Sequence, residues 1–185
     1  MEARERFEVT LAEARAGERE ALARLYRDLH TPILRYLVAL EPAEAEDLAS
    51  EVWLQVIAGL DRFHGDERGF RAWAFTIARS RTVDLRRRRR RRPTIAADPE
   101  ELDRHATIRD VEEEALQELA TREAIARIAT LTRDQAEVIL LRVLAGLSVR
   151  DVSAIMRKRP GTVRVLQHRA LRRLAAQVTK VEVTE

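Results

Sequence analysis

The sequence predicts an all-α protein built as two small helical domains joined by an acidic linker. Three observations carry this. Only six Gly and five Pro occur in 185 residues, while the strong helix formers Ala, Leu, Arg and Glu abound. Apolar residues recur at three- and four-residue spacing rather than alternating. Charge is segregated: the net +3 divides into −5 over residues 1–60, +8 over 61–92, −7 over 93–123 and +7 over 124–185. A chain of this length accommodates one or two small domains.

In chain order, residues 18–40 read as helix, with Leu22, Leu25, Tyr26 and Leu29 in register and Pro32 placed where a second helix can begin, carrying Ile33, Leu34, Leu37 and Val38. Pro42 opens a turn. A helix follows from about Ala43 to Leu60, with Leu48, Val52, Trp53, Val56, Ile57 and Leu60 on one broad face. Residues 61–69 are polar, with Gly65 and Gly69, and read as a loop. The next helix starts near Phe70, buries Phe70, Trp73, Ala74 and Ile77, and runs into seven consecutive arginines, Arg86 to Arg92, before Pro93. These elements make a first domain, 1–92.

Residues 93–114 hold two prolines and eight acids against two arginines, which is a linker composition. The second domain, 115–185, opens on a helix marked by Leu116, Leu119, Ile125 and Ile128. Thr132 is a candidate N-cap for a helix carrying Val138, Ile139, Leu141 and Leu144, and Gly146 ends it. Ser148 caps a short helix with Val149, Val152, Ile155 and Met156. After the basic turn 157–161, a last helix runs from about Pro160 to Gln177, with Val163, Leu166, Leu171 and Leu174 inward.

Composition narrows the chemistry. Zero Cys excludes a disulfide scaffold, a thiolate zinc site and a cysteine nucleophile. No run of about 18 apolar residues occurs, and residues 1–17 lack the apolar core of a signal peptide, so a soluble cytoplasmic protein is expected. His30, His64, His105 and His168 are scattered; neither an enzyme activity nor a metal or other cofactor is expected.

Three constellations remain. Ser148 to Leu174 has the pattern of a helix-turn-helix whose second helix would lie in the major groove. Arg164, Gln167 and His168 leave its apolar stripe together, with side chains suited to guanine and adenine edges. Arg157, Lys158 and Arg159 are placed to meet phosphates. In the second constellation, Phe70 to Arg92, aromatics precede an arginine-dense helix, a combination suited to single-stranded nucleic acid. Trp73 and Phe70 lie at core spacing. The third is a stripe of Glu44, Asp47, Glu51 and Gln55, within about 80° of one another on a helix and opposite the Val52 face; it can dock a basic helix.

These stretches resemble extracytoplasmic-function sigma factors of the sigma-70 superfamily, small promoter-recognition subunits of RNA polymerase. The resemblance to region 2 is carried by Ala45 to Trp53, Leu60 to Phe63 and Phe70 to Arg79, and that to region 4 by Gly146-Leu-Ser, Gly161-Thr-Val-Arg and His168-Arg-Ala-Leu-Arg-Arg-Leu. It implies an alternative sigma factor that directs promoter recognition, melting and transcription initiation without catalysis. It assigns polymerase contact to Glu44, Asp47, Ser50, Glu51 and Gln55. It assigns −10 binding and melting to Arg62, Phe63, His64, Arg68, Arg71, Arg79, Ser80, Arg81, Arg86 and Arg87. It assigns −35 binding to Arg157, Lys158, Arg159, Thr162, Arg164, Gln167, His168 and Arg169. The implied partners are core RNA polymerase, promoter DNA and an anti-sigma protein, with the linker threading toward the RNA exit path. The sequence departs from the family pattern at Ser50, where Gln is frequent, at Ser80, where Asn is common, and at Arg159, where a small hydroxyl residue is usual.

The competing reading is a helix-turn-helix transcription regulator of the response-regulator type, because Leu131 to Leu174 resembles that family as well. The helical first 92 residues argue against an α/β receiver. Free in solution, the two domains are expected to move semi-independently or to be clamped by another protein.

Overall fold

The computed structural model describes residues 2–91 and 123–182. The linker, Arg92, and the expected helix around Leu116 and Leu119 lie outside them. The described elements are α1 (Glu2–Arg15), α2 (Arg19–Leu40), a 3-10 turn (Pro42–Glu44), α3 (Ala45–Gly59), a second 3-10 turn (Leu60–Arg62) and α4 (Glu67–Arg91). They continue with α5, helical over 123–129, then α6 (Arg133–Val143), α7 (Val149–Met156) and α8 (Pro160–Glu182). No strand occurs among the described residues.

The sequence reading did not anticipate α1. Its signal is short: Phe7, Leu11 and Ala14, spaced four and three apart, are buried on one face. Arg15 then ties α1 to the loop after α3, its Nε donating to the Leu60 carbonyl at 3.2 Å and a second nitrogen to that of Phe63.

Pro32 does not begin a new helix; α2 runs through it unbroken. Proline inside a helix costs about 3 kcal/mol through a lost hydrogen bond and a ring clash. Here Leu25, Leu29, Ile33, Tyr36 and Leu37 are all buried along the same side, and each such burial contributes about 1.5–3 kcal/mol. Tertiary burial therefore outweighs the local penalty.

Helices α2, α3 and α4 enclose the first core. Phe63 stacks on Trp73 at 5.2 Å and meets Phe70 edge-on at 5.3 Å, while Phe7 closes the cluster 5.8 Å from Phe70. Gly59 permits this packing, since a Cβ there would stand 2.8 Å from Trp73 Cζ2. Two expected core positions prove otherwise. Ile57 is 54% exposed on α3 and Leu171 is exposed on α8. Each falls at the edge of an apolar stripe too wide for its helix to bury completely.

In the second unit, Ser148 caps α7 as expected. Its Oγ accepts from Asp151 N at 3.2 Å, and its own N–H reaches Asp151 Oδ2 at 3.0 Å. At Thr132 the main-chain N–H donates to Gln135 Oε1 at 3.2 Å. Gly146 ends α6 with φ +61°. The left-handed residue between α7 and α8 is Arg157 (φ 53°), while Gly161 lies inside the first turn of α8.

The two units do not sit apart. Val138, Leu140 and Leu141 of α6 and Val152 and Ile155 of α7 join the same buried cluster as Ile33, Leu37, Phe75 and Ala78, with α6 against α2 and α7 against α4. The expectation of semi-independent domains treated the linker as the only connection and took no account of this shared apolar surface.

At the C-terminal end of α2, Glu41 is 5% exposed. A carboxylate at this end of a helix opposes the macrodipole, and arginines offset the cost. Arg86 pairs with one of its oxygens, Arg89 Nη1 with the other at 2.9 Å, and Arg133 approaches to 3.8 Å. Glu41→Gln is expected to lower unfolding stability by on the order of 2 kcal/mol, less than the 3–5 of a fully buried pair because Arg89 and Arg133 stay solvated. Urea denaturation of the two proteins measures this.

Candidate nucleic-acid interface

The α3 stripe is only partly free. Asp47 and Ser50 are exposed, and Asp47 has no ion-pair partner among the described residues. Glu51 lies 3.5 Å from Arg81, which also donates to Gln55 Oε1 at 3.1 and 2.6 Å. Arg89 pairs with Glu44 in the turn before α3. Leu54, 70% exposed, and Ile57 lie on α3 beside the carboxylates. The sequence reading missed this apolar element: it placed Ile57 on the core face and gave Leu54 no role.

Between α3 and α4, an open concavity of about 570 Å³ is lined by Gln55, Gly59, Arg62, Phe63, His64 and Trp73. Arg62 and His64 are exposed at this loop. Phe63 is in the aromatic cluster, so it shapes the floor of the concavity and offers little free ring face. Along α4, Ser80 and Arg87 are exposed and Arg71 is half-buried. Arg68, Arg79, Arg81 and Arg86 are engaged with carboxylate or amide oxygens. Four of the six expected α4 cations thus pair with the protein's own acids in this conformation, a pairing that no spacing rule reveals.

On α8, Thr162, Arg164, His168 and Arg169 are exposed along one side. Gln167 is half-buried, and its Oε1 accepts from Arg142 Nε at 3.3 Å. Bidentate reading of adenine needs both ends of the amide, so Gln167 has to leave Arg142 to do so. In the turn, Lys158 Nζ pairs with Asp134 at 2.9 Å, while Arg157 and Arg159 face outward. Asp151 is pushed up by burial, but hydrogen bonds from Ser148 and Arg68 outweigh this and hold it below the ordinary carboxylate value. It is therefore ionised at neutral pH, and its stabilising contribution is lost only as pH falls below about 4.

The described residues hold no group of His, Asp and Glu able to bind a metal, and no helix among them is long and apolar enough to cross a membrane.

Residues 22–92 match the family model for sigma-70 region 2, and residues 121–174 match that for sigma-70 region 4. The sequence is 36% identical over 169 residues to the ECF RNA polymerase sigma factor ShbA of Streptomyces griseus, covering 86% of this chain and 88% of that one. It is 35% identical over 164 residues to the ECF RNA polymerase sigma factor BldN of Streptomyces coelicolor, where 88% of this chain spans only 62% of the relative. The fold is similar to that of the sigma factor RpoE from Bartonella quintana, solved in complex with the anti-sigma factor NepR. There the TM-score is 0.59 at 24% identity, over 83% of this chain and 95% of that one.

Proposed function

Because the chain belongs to the extracytoplasmic-function sigma factors, we propose that its exposed polar faces divide the work of an alternative sigma factor as their chemistry suggests. Sigma factors act in transcription initiation as subunits of RNA polymerase, and the response-regulator alternative is not favoured. The finer assignment rests on one observation: the faces that differ in charge also differ in position. Carboxylates and two exposed apolar side chains lie together on α3, Arg62 and His64 line a concavity between α3 and α4, and a row of donors runs along α8.

On this reading Asp47, Glu51, Leu54 and Ile57 meet a basic and apolar surface of core polymerase. The concavity beside Arg62 and His64 receives a base displaced from the −10 element, and α4 holds the flanking strand by its phosphates. Helix α8 enters the major groove at the −35 element, with Arg157 and Arg159 on the phosphates. Residues 1–92 and 115–185 are the two working domains and 93–114 their acidic connection. The chain works in the cytoplasm, catalyses no reaction, and is a candidate for capture by an anti-sigma protein.

Run-off transcription with purified core polymerase tests this. A specific transcript is expected only when the chain is added, on templates selected from its own genome by immunoprecipitation. Core polymerase that starts equally well without the chain overturns the reading.

A further inference from the structure

Helix α1 lies outside the span that matches sigma-70 region 2, which begins at residue 22, yet it holds the loop that shapes the α3–α4 concavity. Its last turn carries Arg15. Arg15 Nε donates to the Leu60 carbonyl at 3.2 Å, and a second nitrogen donates to the Phe63 carbonyl. These two oxygens bracket the 3-10 turn Leu60–Arg62. The first of them also accepts from Phe63 N at 3.2 Å. Carbonyls at the end of α3 lack partners within the helix, and the helix dipole favours a cation there. Arg15 has no ion pair with a carboxylate among the described residues, so its guanidinium serves this loop.

The clamp is itself fixed in place. Gly17 takes φ +87° and ends α1 in a Schellman motif, with Glu18 N donating to Glu13 O at 3.0 Å and Gly17 N to Ala14 O at 3.1 Å. Phe7, Leu11 and Ala14 hold the helix to the core. On the loop side, Phe63 is extended (φ −73°, ψ 129°) and buried, while its neighbours Arg62 and His64 are exposed. Successive side chains alternate along extended backbone, so burial of the Phe63 ring turns Arg62 and His64 outward. Both line the concavity, and Arg15 lines no part of it. Arg15 holds the main chain from which those side chains project.

We propose that Arg15 is a positioning residue for base capture: it holds the turn that presents Arg62 and His64, so the concavity has its shape before DNA arrives. In a site formed in advance, ordering of the loop no longer weakens binding. The proposal rests on the assignment of the concavity to a displaced −10 base.

The test uses the full chain assembled with saturating core polymerase. The probe is a labelled 12-nucleotide single strand spanning the −10 element of a promoter mapped by run-off transcription, with copies that each carry one abasic site. Anisotropy gives the affinities. For the parent, one position is expected at which loss of the base weakens binding about tenfold or more. Arg15→Ala should weaken binding of the intact strand about tenfold and leave the strand that lacks this base within a few-fold of the parent, so the abasic penalty nearly vanishes. Arg15→Lys keeps the charge and should recover part of the loss. In the free chain, the main-chain N–H groups of Phe63 and His64 should exchange hydrogen faster in Arg15→Ala, with exchange in α2 unchanged.

Arg15→Ala with the parental abasic penalty overturns the proposal. So does equal weakening on every strand, which is the mark of a merely structural role, and so does unchanged exchange at Phe63 and His64. Circular dichroism verifies the fold, and Arg15→Gln, which keeps most of the stem, takes the place of Arg15→Ala if that variant unfolds. A parent with no abasic-sensitive position overturns the concavity reading and this proposal with it, while a run-off transcript in the same preparation leaves the sigma-factor assignment standing.

Discussion

Asp47→Arg combined with Glu51→Arg removes retention of the chain by core RNA polymerase, with a loss of affinity of at least about 100-fold, the range for disrupting charge pairs at a desolvated interface. Asp47 is exposed in the first turn of α3, where a cation opposes the macrodipole by roughly 0.3–1 kcal/mol. That is too little to unfold a helix whose Leu48, Val52, Trp53 and Val56 are buried. Glu51 is the more delicate partner, because its replacement leaves two arginines facing each other at Arg81. The control is Arg81→Ala alone, expected to leave polymerase retention within a few-fold of the parent. Anisotropy of labelled chain titrated with core enzyme makes the measurement. A folded double variant that still binds core at parental affinity removes α3 as the polymerase contact.

Arg164→Ala has the next largest expected effect, and it is selective. Arg164 projects from the exposed side of α8, one turn past the helix start at Pro160, where a guanidinium reaches the O6 and N7 of a guanine. Loss of such a contact costs about 1–3 kcal/mol at one base pair and leaves other sequences nearly unaffected. Arg157→Ala provides the contrast: a phosphate contact should weaken binding on every sequence and reduce the salt slope by about one. Arg157 also holds a left-handed backbone, so Arg157→Gly relaxes local strain and separates the loss of charge from any loss of fold. Equal loss of affinity by Arg164→Ala on all −35 variants means that this residue does not read a base.

Beyond α1, which was missed, and the break expected at Pro32, the helices were legible from apolar spacing, because stripes at three- and four-residue intervals have no other way to leave water. The Ser148 cap was equally clear, since its hydroxyl and the carboxylate of Asp151 satisfy each other within one turn. Charge segregation marked the α3 stripe and the α8 face for the same reason: a side chain kept out of the core has only solvent or a partner to meet. Local chemistry misled where tertiary burial was stronger. Pro32 signals a break, yet the apolar side of α2 is buried along its whole length. Ile57 and Leu171 signal core, yet both stay about half exposed.

The sequence by itself determined the all-helical architecture, the helix-turn-helix and the absence of thiol chemistry, all of which follow from residue type and short-range periodicity. Only the tertiary structure decided which cations are free. Arg68 with Asp151 and Arg79 with Glu137 are separated by 83 and 58 positions, and Glu41 gathers arginines from α4 and α6. Ion pairs of this kind depend on how folded surfaces meet and on how far water is excluded between them, and neither is encoded in the spacing along a single helix.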